Sequence, residues 1–213
     1  MKSHLAEISN YNNKYLSFER WISYVYQLSF LKNIEFENVA EVGIGPDVLR
    51  SMISANYPEC VYTSVDIDAK LNPDICASIT DLPIPDNQID IIYCCQILEH
   101  IPFDQFHVAL SEIKRVCNRR IIISLPDVSP FFYLRFRGSR KILPTLWNGV
   151  SINSILPREH SFEEHGQHYW EIGKKNYPLN RILRLMEDSG FDKIRHFRMV
   201  ERSYWHFFII DLI

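Results

Sequence analysis

The chain has 213 residues, 46% hydrophobic and 23% charged, with a formal charge of −3; this predicts one domain with elaborations and excludes disordered, collagenous and coiled-coil chains. No apolar run approaches the roughly 20 residues of a membrane span. The opening MKSHLAEISN has no secretory apolar core, and a nearly balanced charge argues against nucleic acid as a partner.

Residues 14–32 carry Leu16, Trp21, Val25, Leu28 and Leu31 at close to helical spacing, which predicts one amphipathic helix within an N-terminal cover of about residues 11–34. NVAEV (38–42) predicts a short strand, followed by Gly43-Ile44-Gly45-Pro46-Asp47 and a helix marked by Leu49, Met52 and Ile53. Pro46 is expected in that helix's first turn, where it has no N–H to lose. CVYTSVD (60–66) reads as a second strand and Asp74–Ala77 as a weak third. IDIIYCC (89–95) and RIIISL (120–125) are near-continuous apolar runs, the mark of strands buried on both faces, with a helix over Phe106–Val116 between them. Residues 127–178 show no clear element and read as an insertion or lid. A helix over Leu179–Ser189, closed by Gly190, and strands around Ile194–Val200 and His206–Leu212 complete the pattern. The alternation predicts an α/β, Rossmann-like, doubly wound sheet of seven mostly parallel strands, with an antiparallel strand near the C-terminus, in a single domain over 1–213.

Five cysteines (Cys60, Cys76, Cys94, Cys95 and Cys117) without C-x-x-C spacing read as reduced, buried thiols of a cytoplasmic protein. Glu41-x-Gly43-x-Gly45 lies between a strand and a helix, where glycines let a ligand approach the backbone. Asp66 ends the next strand, at the carboxyl edge where open α/β sheets bind ligands, and suits two vicinal ribose hydroxyls. A dinucleotide would want G-x-G-x-x-G/A, yet the third position is Val48, and Asp47 puts negative charge where a pyrophosphate would sit. Residues 61–104 hold eight acids against one Lys70, an environment better suited to a cationic cofactor such as S-adenosylmethionine.

VAEVGIG (39–45), SVDID (64–68), DLPIPDNQIDIIYCCQILEHI (81–101), EIKRVCNRRIIISLPD (112–127) and SGFDKI (189–194) follow one another across about residues 36–200. In that order and spacing the chain resembles the class I S-adenosylmethionine-dependent methyltransferases, of the type 11-like, small-molecule branch. The resemblance implies that Glu41, Gly43 and Gly45 wrap the methionine part of the cofactor. It implies that Asp66 holds the ribose hydroxyls with Ile67 beside the adenine. Ser78 and Ile79 take the adenine-edge position, Ser78 standing where the family usually has Asp, and Cys95 and Gln96 lie against the cofactor's methionine end. Asp47 stands at the family's usual third glycine.

His100, just past the fourth strand in Leu98-Glu99-His100, is the first candidate base; the competing reading is that Glu99 and His100 cap and orient the loop. Asp127, after the fifth strand, is expected to orient a histidine or hold a substrate hydroxyl, or else to cap the following segment. His160, His165 and His168, with Glu163, Glu164 and Glu171, have a spacing that suits a metal, but no Cys or H-x-x-x-H pair supports it, and no metal is expected. His168, Trp170 and Glu171 are instead expected to bind a sugar or ring substrate.

Residues 131–141 interleave Arg135, Arg137, Arg140 and Lys141 with aromatics, which suits a lid, an anionic substrate or a peripheral membrane surface. The expected function is methyl transfer to a small molecule, foremost a sugar or glycan-type hydroxyl. A quinone or lipid ring, or a non-catalytic cofactor-binding partner protein, are the alternatives.

Overall fold

A computed structural model describes residues 17–139, 142–151 and 168–212. In chain order the elements are α1 (Phe18–Ser29), β1 (Asn38–Val42), α2 (Val48–Asn56), β2 (Val61–Asp66), β3 (Ile75–Cys76), β4 (Ile89–Cys95), α3 (Phe106–Val116), β5 (Cys117–Pro126), β6 (Phe131–Ser139), β7 (Ile142–Ser151), α4 (Leu179–Asp188), β8 (Ile194–Arg198) and β9 (Trp205–Asp211). Seven strands form one sheet in the order β3-β2-β1-β4-β5-β9-β8. The pairings from β3 to β5 are parallel, and β9 runs antiparallel to both of its neighbours. The sheet is therefore the predicted one, with β9 as its reversed strand.

Alternate residues of the central strands feed two cores, as a pleated strand requires. Ala40, Val42, Ile92, Cys94, Ile121 and Ile123 pack with Phe106, Leu110 and Ile113 of α3 and Ile182 and Met186 of α4. Val39, Ile91, Tyr93 and Ile122 face the other way, onto Tyr24, Leu31, Leu49 and Ile53. Helix α4 ends as its sequence predicts: Gly190 takes φ +81 and its carbonyl accepts from Lys114 Nζ at 2.7 Å.

Three local expectations are corrected. Helix α1 starts at Phe18, capped by Ser17, and leaves Trp21 and Val25 44% and 57% exposed. Its packing face is the aromatic one: Phe30 meets Phe207 at 5.3 Å between ring centroids and Tyr26 meets it at 6.2 Å. The ring contacts of Tyr26 and Phe30 and the burial of Tyr24 and Leu31, not Trp21 and Val25, set the helix's rotation. Helix α2 begins at Val48, with Asp47 at its N-cap position in the left-handed region (φ 56), so Pro46 lies outside the helix rather than in its first turn. The stretch expected to lack elements contains a hairpin, in which β6 pairs antiparallel with β7 from Phe131↔Ser151 to Ser139↔Ile142, as a two-stranded sheet of its own. Its consecutive aromatics favour strand but hide the two-residue alternation that identifies one. Arg140, Lys141 and residues 152–167 lie outside the described residues. Among the described residues no helix is long and apolar enough to cross a membrane.

Candidate active site at the carboxyl edge

Two groups of side chains meet where the parallel strands end. The first surrounds the turn after β1. Glu41 is 5% exposed, accepts a hydrogen bond from the Tyr62 hydroxyl, and has its carboxyl pushed up to about 8, chiefly by burial. Gly43 and Gly45 have φ +81 and +51. A Cβ on Gly43 would also fall 1.9 Å from Ile97 Cδ1, so this position needs glycine for conformation and for space.

Asp66 ends β2 with both oxygens anchored: Oδ2 accepts from Ile44 N–H at 3.1 Å and Oδ1 from Asp68 N–H at 2.9 Å. Burial raises its pKa against these backbone bonds. Each carboxylate oxygen has a further lone pair, so a fixed Asp66 still accepts from two hydroxyls. Arg50 braces the turn, bonding Asp47 at 3.1 Å and Asp74 at 2.7 Å.

The other predicted cofactor positions border this turn. Ile67 is 61% exposed beside Asp66, while Ile79 is buried. Ser78 Oγ is engaged with Thr80, 2.8 Å from its hydroxyl and 3.2 Å from its N–H. Cys95 ends β4, its thiol held protonated by burial. Gln96 follows at φ 59, its N–H donating to Ser124 O at 2.9 Å. Anchored carboxylates, an exposed apolar residue and a tight glycine turn fit a cofactor with a ribose, an adenine and cationic groups.

The second group assembles on the short turn Leu98–His100 after β4. Glu99 is fully buried, and among the described residues neither of its carboxylate oxygens has a hydrogen-bond partner. Burial pushes its carboxyl up to about 7. His168 crosses the His100 ring edge-on, at 4.9 Å and 82°, and its Nε2 lies 4.0 Å from Glu99 Oε1. Its Nδ1 bonds Glu171 Oε1 at 2.8 Å, and the Tyr204 hydroxyl donates to the same oxygen at 2.6 Å. Burial alone would depress the His168 pKa, but the Glu171 hydrogen bond and the charges of Glu99 and Glu171 raise it. Sequence reading gave Glu99 only a loop-capping role and missed Tyr62 and Tyr204, whose roles come from contacts across the fold.

Two predicted site residues are held by buried structural contacts. Trp170, expected against a substrate, is fully buried between Phe103 and Phe106, with ring centroids at 5.1 and 5.0 Å, and its Nε1–H donates to Ile101 O. Asp127, expected at the reaction centre, is 2% exposed. Its Oδ2 bonds His206 Nδ1 at 2.8 Å and its Oδ1 accepts from Ser129 N–H at 2.8 Å. Arg198 lies 3.6 Å away. Asp127 does orient a histidine, but His206 is itself buried and bonded to His196. The acid is held ionised: burial would raise its pKa, and the His206 and Ser129 bonds and the Arg198 charge outweigh it. Of the suggested metal spacing, His160, His165, Glu163 and Glu164 lie outside the described residues.

Residues 40–123 match the family model described as a methyltransferase domain. No curated protein matches the chain in sequence. Solved structures with the same fold include phosphoethanolamine N-methyltransferase 2 of Haemonchus contortus in complex with S-adenosyl-L-methionine. It has TM-score 0.64 and 12% identity, over 96% of this chain and 56% of that one. An S-adenosylmethionine-dependent methyltransferase of Clostridium acetobutylicum has TM-score 0.60 and 11% identity, over 96% of both chains. One of Archaeoglobus fulgidus has TM-score 0.63 and 10% identity, over 97% of this chain and all of that one. The chain thus spans little more than half the Haemonchus protein and essentially the full length of the other two.

Proposed function

We propose that this chain is a class I S-adenosylmethionine-dependent methyltransferase and that it methylates a hydroxyl of a small acceptor, of the sugar or glycan type. S-adenosylmethionine supplies the methyl group already activated on a sulfonium. The protein's task is to hold two reactants in line, and alignment alone is worth roughly 7–11 kcal/mol. Glu41, Gly43 and Gly45 receive the methionine end, with Cys95 and Gln96 on its far side. Asp66 holds the ribose, and Ile67, Ser78 and Ile79 border the adenine.

The observation that carries an oxygen acceptor is the Glu99–His100–His168–Glu171 group at the same sheet edge. A hydroxyl must give up its proton as the new bond forms, and managing that proton contributes roughly 10²–10⁴ in rate. Two imidazoles beside a buried carboxylate, one of them fixed through Nδ1 by Glu171, are suited to that task. Ile97, packed on Gly43 and leading directly into this group, links donor and acceptor sides. With Trp170 in the core, the support for a sugar is the polar character of the group, not ring stacking.

The test is calorimetric titration with S-adenosylmethionine and S-adenosylhomocysteine, Asp66→Ala serving as the control, followed by a screen of nucleotide sugars and free glycosides. Binding that disappears in the variant, with turnover of a hydroxylated acceptor, supports the reading. An intact chain that binds the cofactor but methylates only amines overturns the oxygen assignment. A second reading, a quinone or lipid-ring acceptor, is favoured by the hairpin β6–β7, whose sequence carries Arg135 and Arg137 among aromatics. Activity that requires anionic liposomes supports it, and soluble activity on sugars removes it.

A further inference from the structure

We propose that Glu99, His100 and His168 hold a divalent first-row transition cation, with Glu171 and Tyr204 fixing the orientation of His168. One ligand atom from each of the three residues lies within 4.8 Å of the other two. Ligand–metal distances near 2.0–2.2 Å ask for a somewhat tighter triangle, which rotation of three side chains supplies. Glu99 gives an independent sign of a missing partner. It is fully buried, both its oxygens lack a hydrogen bond among the described residues, and His168 Nε2 stands 4.0 Å from its Oε1. A buried carboxylate left so exposed electrically is costly unless something positive completes it.

The surroundings match a metal centre in another respect. Ligating histidines usually bond a carboxylate through the ring nitrogen that does not face the metal, which sets the tautomer and raises ligand basicity. His168 does this with Glu171 at 2.8 Å, leaving Nε2 toward Glu99, and Tyr204 holds Glu171 in turn. Two imidazoles and one carboxylate favour Mn²⁺, Fe²⁺ or Zn²⁺ over Mg²⁺ or Ca²⁺, whose ligands are oxygens. Three protein ligands leave positions open. The cation site stands on these residues alone. Its role, taking the acceptor hydroxyl and lowering that hydroxyl's pKa, rests on the methyl-transfer reading.

The experiment is titration of the chelator-stripped full chain with MnCl₂, read by loss of the free Mn²⁺ electron paramagnetic resonance signal, with ZnCl₂ as competitor. A single saturable site is expected. Glu99→Gln and His168→Gln should each weaken it at least tenfold, and Glu171→Gln by about 10–100-fold. His196→Gln, on an exposed ring outside the group, should leave it unchanged. Absence of saturable binding in the unaltered chain overturns the proposal, as does binding that survives both Glu99→Gln and His168→Gln. S-adenosylhomocysteine calorimetry on the same samples separates the two readings. Cofactor binding without Mn²⁺ binding sinks the cation alone, whereas Mn²⁺ binding without cofactor binding keeps the site and sinks its role in methyl transfer.

Discussion

The proposed donor and acceptor halves of this sheet edge are built in different ways. The donor half comes from one continuous stretch: Glu41, Gly43 and Asp66 belong to β1, its turn and β2, and each oxygen of the Asp66 carboxylate is anchored by one backbone N–H. The acceptor half is gathered from three distant segments, around Glu99, His168 and Tyr204, and among the described residues no well-formed hydrogen bond reaches its central carboxylate. One half is thus made locally and the other by tertiary packing, so a change in the second need not disturb the first.

The comparison can be broken most directly at His168. His168→Ala should cut turnover by roughly 10²–10⁴ while leaving the calorimetric Kd for S-adenosylhomocysteine within twofold. A parallel loss of cofactor affinity would mean that the halves are not separable. Trp170 tests the acceptor half's scaffold. Trp170→Ala should cost about 3–5 kcal/mol, seen as a melting temperature lower by about 10 °C. An unchanged melting temperature with a raised KM would return the ring to the substrate. Asp66→Ala should weaken cofactor binding at least about a hundredfold, as expected when two charge-assisted hydrogen bonds worth about 1.5–3 kcal/mol each are lost. Retained affinity would move the ribose elsewhere.

Glu41 gives the smallest effect and one with a definite sign. Its carboxyl, pushed up to about 8 by burial, keeps its proton in the folded chain while the unfolded chain ionises near 4.5. Stability from this group is therefore fully present below about 4.5 and lost as the pH rises through about 8. Glu41→Gln retains an acceptor for Tyr62 and removes that loss. The melting temperatures of variant and parent should coincide near pH 4.5, and the variant should be a few degrees higher at pH 8.5. A difference independent of pH would mean that Glu41 is ionised in the fold.

The same division explains what the sequence made legible. Strands of continuous apolar residues, such as Ile89–Cys95, and a glycine turn followed by a strand-ending acid are local signals, and the sheet and the donor half follow from them. Trp170 was misread, and the histidine that Asp127 orients went unidentified, because a local string gives no sign of which residue turns inward or what it meets there. Inward or outward is decided by Phe103, Phe106, Arg198 and His206, between 64 and 79 residues away. The hairpin was missed for another reason: pairing partners compensate for one another only after the strands meet, and a single strand of consecutive aromatics shows no face.

The reversed strand β9 has a consequence for synthesis of the protein. Because it enters the sheet at the edge where its neighbours leave, the turn before it delivers Tyr204 to Glu171 and Met199, Trp205 and Phe207 to the cover over the sheet. Strand β5 meanwhile waits for a partner as much as 91 residues downstream. A nascent chain that has reached only β8 thus carries the complete donor turn, a central strand paired on one edge only and a His168 whose carboxylate lacks its hydroxyl brace. On the ribosome the chain should become competent to bind the methyl donor well before it can use it, and in the interval the bare flank of β5 is the surface a chaperone would have to guard.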